Sequence, residues 1–194
     1  MSKTFMFNSG TIKLTDEEVI IEETSYDIED LDVISYAAPT LISLGDIKIG
    51  ENLVLVSNKD KKIAMDFVNQ MEKMGVFVSY LRGECTADYI ESSLSERLVV
   101  ESLRIRDDKL YFISFKNGVY EIDVELIKSI WIAQDYITFS SSDDYDDKIA
   151  LEDDEGEKRP FSIHFKKKYF DVVVKFAEKI ESLGQDISIN IMSL

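Results

Sequence analysis

The sequence predicts an α+β protein built from two diverged copies of one small β-rich domain, each copy ending in an amphipathic helix and one more short strand. Three observations predict it. Apolar residues alternate with a period of two through most of the chain, as half-buried strands require. The period changes to 3.6 in two stretches, and each is followed by renewed alternation. The same order of patterns also runs through the chain twice, with an offset that only grows.

Ile12, Leu14 and Asp16 match Leu103, Ile105 and Asp107, and the alternating run at 19–21 matches that at 110–112, an offset of 91. Tyr26 and Ile28 are matched to Tyr120 and Ile122. Leu31, Ile34 and Tyr36 then match Ile127, Ile130 and Ile132, where the offset is 96. In the helices the offset is 109: Ala64, Phe67, Val68, Met71, Met74 and Gly75 match Val173, Phe176, Ala177, Ile180, Leu183 and Gly184. Insertions in the second copy produce such a drift, and most of it falls in the polar segment 140–158, SSSDDYDDKIALEDDEGEK. The expected organisation is a first domain at 1–81, a connector at 82–95, and a second domain at 96–194 carrying that acidic insertion.

Candidate strands in the first copy are FMF, TIKL, VIIEE, YDI, LIS, DIKI and NLVLV. In the second they are LVV, LRI, KLYFISF, VYEIDV, SIWIA, YITF, KIAL and FSIHF. Asn117-Gly118 between two such runs predicts a two-residue hairpin turn, since both residue types accept positive φ. On the helices, Ala64, Phe67, Val68, Met71 and Met74 share one side, as do Tyr169, Val172, Val173, Phe176, Ile180 and Leu183; both sets are expected to face a sheet. Gly75 and Gly184 are expected to end the helices in left-handed backbone. Val76, Val78 and Tyr80, and their counterparts Ile187, Ile189 and Ile191, predict the closing strands.

Charge narrows the function classes. The 38 acidic residues outnumber the 22 basic ones, for a formal charge of −16. A field of that sign repels phosphate backbones and anionic lipid, which argues against nucleic-acid and membrane-surface roles. No run of residues is long and apolar enough for a membrane helix, and the N-terminal residues lack a signal-like apolar core, so a cytoplasmic protein without stable membrane insertion is expected. The single cysteine, Cys85, excludes an internal disulfide and suits a reducing compartment.

Little in the sequence points to catalysis. His164 is the only histidine; alternation in FSIHF puts it opposite Phe161, Ile163 and Phe165, and no nucleophile motif accompanies it. One Cys and one His do not build a four-ligand zinc site. The nearest calcium-loop register in the insertion starts at Asp144 and sets Lys148 and Ile149 where a ligand and a glycine belong. No glycine-rich phosphate loop occurs. The expectation is therefore no catalytic residue, no metal and no cofactor.

Two features suit a protein partner. Lys158, Arg159, Lys166, Lys167 and Lys168 form a basic cluster between the insertion and the second helix. It reads either as counter-charge to the neighbouring carboxylates or as a docking patch for an acidic partner. Alternation puts Trp131 opposite Ile130 and Ile132, on an exposed or interdomain side where tryptophan acts as an anchor.

About seven short antiparallel strands followed by a C-terminal helix resembles the pleckstrin-homology-like (PH-like) fold, here in tandem over nearly the whole chain. The resemblance implies in each copy a bent antiparallel sheet or barrel capped by its helix. Phosphoinositide binding, familiar for that fold, is opposed by Thr15-Asp16-Glu17-Glu18 and Asp107-Asp108-Lys109 at the first hairpins. The Gly10-Thr-Ile12-Lys-Leu14 opening, the Asp27-Ile28-Glu-Asp-Leu31 stretch, MEKMGVFVSYL and KLYFISFKNGVYEIDVELIKSI also resemble the archaeal taxis adaptor family CheF. That resemblance implies a non-enzymatic adaptor linking a CheY-like response regulator to the archaellum motor. A lipid or small-molecule sensor with a cavity under one helix is the alternative.

Overall fold

The computed structural model describes residues 2–31, 33–37, 41–44, 53–55, 57–80, 84–93, 101–114, 118–152, 156 and 158–192. It is a mixed α/β structure whose sheets are mostly antiparallel, with two α-helices among the described residues. The chain divides into two compact units, Met1–Arg82 and Gly83–Leu194.

In the first unit β1 (Lys3–Phe7), β2 (Gly10–Leu14), β3 (Glu18–Ile21) and β4 (Thr24–Asp27) form an antiparallel meander. After a 3₁₀ turn at Ile28–Asp30 come β5 (Val33–Ala37), β6 (Leu41–Leu44), β7 (Leu53–Leu55), helix α1 (Lys61–Lys73) and β8 (Phe77–Tyr80). The second sheet runs β7-β6-β5-β8, with β8 parallel to β5. Because β7 feeds a helix that crosses back over the sheet, the strand after it returns beside β5 in the same direction.

The second unit repeats this order. β9 (Cys85–Thr86), β10 (Tyr89–Glu91), β11 (Glu101–Arg106), β12 (Lys109–Ser114) and β13 (Gly118–Ile122) form the first sheet in the order β13-β12-β11-β10-β9. A 3₁₀ turn at Val124–Leu126 leads to β14 (Ser129–Ile132) and β15 (Tyr136–Ser140). β16 (Ala150–Glu152) and β17 (Lys158–Pro160) form a separate hairpin before β18 (Ser162–His164), α2 (Phe170–Leu183) and β19 (Ser188–Ile191). The second sheet, β18-β15-β14-β19, has β19 parallel to β14.

Register shows how close the copies are. Ile12 pairs with Ile21 and Leu14 with Val19, as Leu103 pairs with Phe112 and Ile105 with Leu110. Ile34 lies beside Val78 as Ile130 lies beside Ile189. The helices pack as their periodicity requires: Ala64, Phe67, Val68, Met71, Val173, Phe176, Ala177 and Ile180 are all fully buried. Phe67 meets Phe5 of β1 edge to face at 5.3 Å. Phe112 and Phe161 make the same kind of contact across the second core, also at 5.3 Å.

Several expectations need correction. Val19 pairs with Tyr26 while Leu110 pairs with Ile122, so Tyr26 corresponds to Ile122 and not to Tyr120. A two-residue slip leaves every residue on its own face, so alternation does not detect it. The expected connector 82–95 contains β9 and β10, which extend the second unit's first sheet. The register pairs Ser114 with Gly118, so Gly118 (φ +90°) opens β13 instead of sharing a two-residue turn. Asn117 lies outside the described residues, as do DIKI and LVV.

The two glycines after the helices also differ. Gly75 has φ +97°; its N–H donates to Glu72 O at 3.1 Å, and the Val76 N–H donates to Met71 O at 3.1 Å, closing the helix in a Schellman motif. Gly184 is extended at φ −102°, against expectation. There a Cβ would run into the Ile187 side chain and come within 3.0 Å of Val124 Cγ1, so lack of space explains the glycine.

Candidate functional site

The polypeptide reaches its two helices through equivalent 3₁₀ turns, Asn58–Asp60 and Lys167–Tyr169, and the side chains there differ in kind. In the first unit Asp60 is only 4% exposed. Its carboxylate accepts from Ser57 Oγ at 2.7 Å, Ser57 N at 3.2 Å and Asn8 N at 3.3 Å. The Ser57 hydroxyl holds the Asp60 carboxyl below its ordinary pKa, aided by those backbone donors against the effect of burial. A carboxylate here also complements the positive end of the helix dipole.

In the second unit Lys166, Lys167 and Lys168 occupy that turn, all exposed, and no side chain caps α2. Lys167 Nζ reaches Gln134 Oε1 at 3.4 Å, and Lys168 Nζ lies 4.7 Å from the centre of the Tyr169 ring. Cations at a helix N-terminus oppose its dipole at about 0.3–1 kcal/mol each. The first unit also has exposed lysines there, Lys59, Lys61 and Lys62, but they are interrupted by the buried Asp60, whereas Lys166, Lys167 and Lys168 are consecutive.

The remaining basic residues stand elsewhere. Lys158 and Arg159 lie on β17, opposite Glu152 and Leu151 of the insertion hairpin. From there the chain is extended through β18, with Phe161 N donating to Ile149 O and Phe165 N to Asp135 O. Eight residues at strand rise reach about 26 Å, so residues adjacent in sequence sit at the two ends of one extended run. The basic cluster is thus two groups, and the one at the helix contains Lys166, Lys167 and Lys168.

Trp131 lies on the outer face of the second unit's last sheet, opposite the buried Ile130 and Ile132, and is half-buried. What covers it is the insertion. Tyr145 meets the indole edge to face at 5.6 Å, a contact worth about 0.5–1.5 kcal/mol. The Tyr145 and Tyr136 hydroxyls are 2.7 Å apart, and Lys148 Nζ sits 4.2 Å from the Tyr145 ring centre, adding about 0.5–1 kcal/mol. Ser129 Oγ accepts from Trp131 Nε1 at 2.8 Å and donates to Ser142 O at 2.6 Å. Burial pushes the Tyr136 phenol up to about 12, with Tyr145 adding to the effect; the hydrogen bond with Tyr136 lowers Tyr145, and Lys148 lowers it further. The aromatic pair is invisible to motif reading because its members are 14 residues apart in sequence.

Other titratable groups are less promising. His164 sits on the outer face beside Tyr136, ring centres 5.7 Å apart, while Phe161, Ile163 and Phe165 are buried. Burial pushes the Cys85 thiol up to about 11, which suppresses the reactive thiolate. A groove of about 620 Å³ in the first unit is lined by Asp16, Glu17, Asp27, Glu29 and Asp30 with Ile28 and Met74. Its carboxylates are exposed, and among the described residues no group of three or more His, Cys, Asp or Glu is arranged to hold a metal ion. No described helix is long and apolar enough to cross a membrane.

No protein-family model matches the chain, and no curated protein matches its sequence.

Proposed function

We propose that the protein is a non-enzymatic adaptor of two PH-like domains, which docks an acidic surface of a partner protein on the turn before α2. The carrying observation is the uninterrupted run Lys166, Lys167 and Lys168, all exposed, where the first unit has the Ser57–Asp60 capping box among its lysines. Three consecutive exposed cations with no carboxylate among them give an external anion a compact positive patch. The partner class that fits, and that the resemblance to the CheF family suggests, is a CheY-like response regulator, whose phosphorylation face is rich in carboxylates. On this reading the protein works in the cytoplasm and connects that regulator to the archaellum motor.

A lipid-sensing role is less favoured, because the first unit's groove is lined by carboxylates and repels an anionic headgroup. The test is affinity capture from native cell extract with mass-spectrometric identification. The full chain should retain a response regulator, and Lys166→Ala/Lys167→Ala/Lys168→Ala should lose it, while Lys158→Ala keeps it. Equal capture by the triple variant removes the docking site from the account.

A further inference from the structure

The acidic insertion is more than a solvated loop, because its first half is tied down. The Ser141 N–H donates to Asp147 O at 3.0 Å, and Ser142 Oγ donates to Asp147 Oδ2 at 2.6 Å. The Ile149 N–H donates to Phe139 O at 2.8 Å, and Ser140 bridges to Lys148. These bonds fold residues 141–149 back over the outer face of β14 and β15. Four carboxylates, Asp143, Asp144, Asp146 and Asp147, stay exposed, and the one aromatic side chain among them, Tyr145, turns inward onto Trp131.

The face beneath is built to take hydrogen bonds. Ser129 Oγ engages the backbone of the segment through Ser142 O, and Tyr136 engages the Tyr145 hydroxyl. Ser140, fully buried on this face, keeps an Oγ with no hydrogen-bond partner. A cover that leaves a buried hydroxyl unmatched is not an optimised core. Besides those hydrogen bonds residues 141–148 meet the face through one modest edge-to-face ring pair, the Lys148 ammonium lying over a ring of the segment itself, while Ile149 packs on the core and fixes the segment's end.

We infer that residues 141–149 are a displaceable strap, an internal stand-in for a partner segment that carries an aromatic residue among carboxylates. Trp131 supplies the anchor for that segment once the strap leaves. This rests on the adaptor reading and deepens it, since strap and partner share the acidic chemistry that suits the lysines of the same unit. Binding to the strapped protein is reduced by the closed population, so loosening the strap tightens binding without any new contact.

Trp131 is the only tryptophan of the chain, which makes its fluorescence a direct reporter. In the full-length Tyr145→Ala protein, with folding verified by far-ultraviolet circular dichroism, acrylamide quenching of Trp131 should rise about twofold or more. Tyr136→Phe, which removes one hydroxyl only, should give a smaller rise. A synthetic peptide of residues 140–149, SSSDDYDDKI, should protect Trp131 in the Tyr145→Ala protein, and the same peptide with Ala in place of its Tyr should not. Unchanged quenching in Tyr145→Ala, or no protection by the peptide, overturns the inference. Partner capture separates this from the docking reading. Tyr145→Ala should bind the response regulator roughly two- to tenfold more tightly, the range an aromatic pair supplies. Loss of capture in the triple lysine variant with no gain in Tyr145→Ala overturns the strap alone; a gain in Tyr145→Ala with no loss in the lysine variant overturns the lysine site alone.

Discussion

The two units share the registers of their matching strands and the buried face of their helices, yet only the first closes its helix approach with a capping box. Ser57 and Asp60 close the first turn internally, with the carboxylate bonded to three donors. The corresponding turn of the second unit presents Lys166, Lys167 and Lys168 to solvent. Function is to be sought in the copy whose helix approach is not closed by a capping box: both copies place lysines at the helix start, and only the second sets three in a row there. The acidic insertion and Trp131 belong to the same unit.

The largest expected effect tests whether the shared core is equally essential. Phe176→Ala empties a fully buried position and should destabilise the second unit by about 3–5 kcal/mol, read from urea unfolding followed by Trp131 fluorescence. Next comes the glycine contrast. Gly184→Ala forces a Cβ against Ile187 and Val124 and should cost about 1–3 kcal/mol in the same assay. Gly75 instead holds a positive φ with open space around it, so Gly75→Asn should be tolerated better than Gly75→Ala. Equal responses at the two glycines would break that distinction.

A smaller effect is expected from acid. The Asp60 carboxyl is held below its ordinary value of 3.8, so its ionised form favours the folded state. That stabilisation is complete above the unfolded value and is lost as pH falls through the lower folded one. Melting of the wild type should therefore drop more between pH 4 and pH 2 than melting of Asp60→Asn.

Much of the fold is legible in the sequence because each helix and strand buries one periodic face. Ala64, Phe67, Val68 and Met71 and their counterparts are identified by spacing alone and are fully buried. The missed strands have a local cause: in β10 a charged residue, Glu91, is 98% buried next to Ile90, which breaks the alternation that signals a strand. Parallel pairing of β8 and β19 depends on where a helix returns the chain, and no local pattern encodes that. At the candidate site the residue types are legible but their grouping is not. Sequence adjacency joins Lys158 to Lys166, whereas the extended run between them sets them apart. Tyr145 over Trp131 is a long-range contact of a kind that composition does not reveal.

The most direct test exchanges the two helix approaches. Replacing Lys166 by Ser and Lys167 by Asn gives the second unit the residues that Ser57 and Asn58 supply at the matching positions of the first, and the thermal midpoint of the full chain should hold steady or rise by a change equivalent to about 0.5–1 kcal/mol. This equally stable or more stable protein should no longer capture the response regulator. Undiminished capture by the exchanged protein would contradict it.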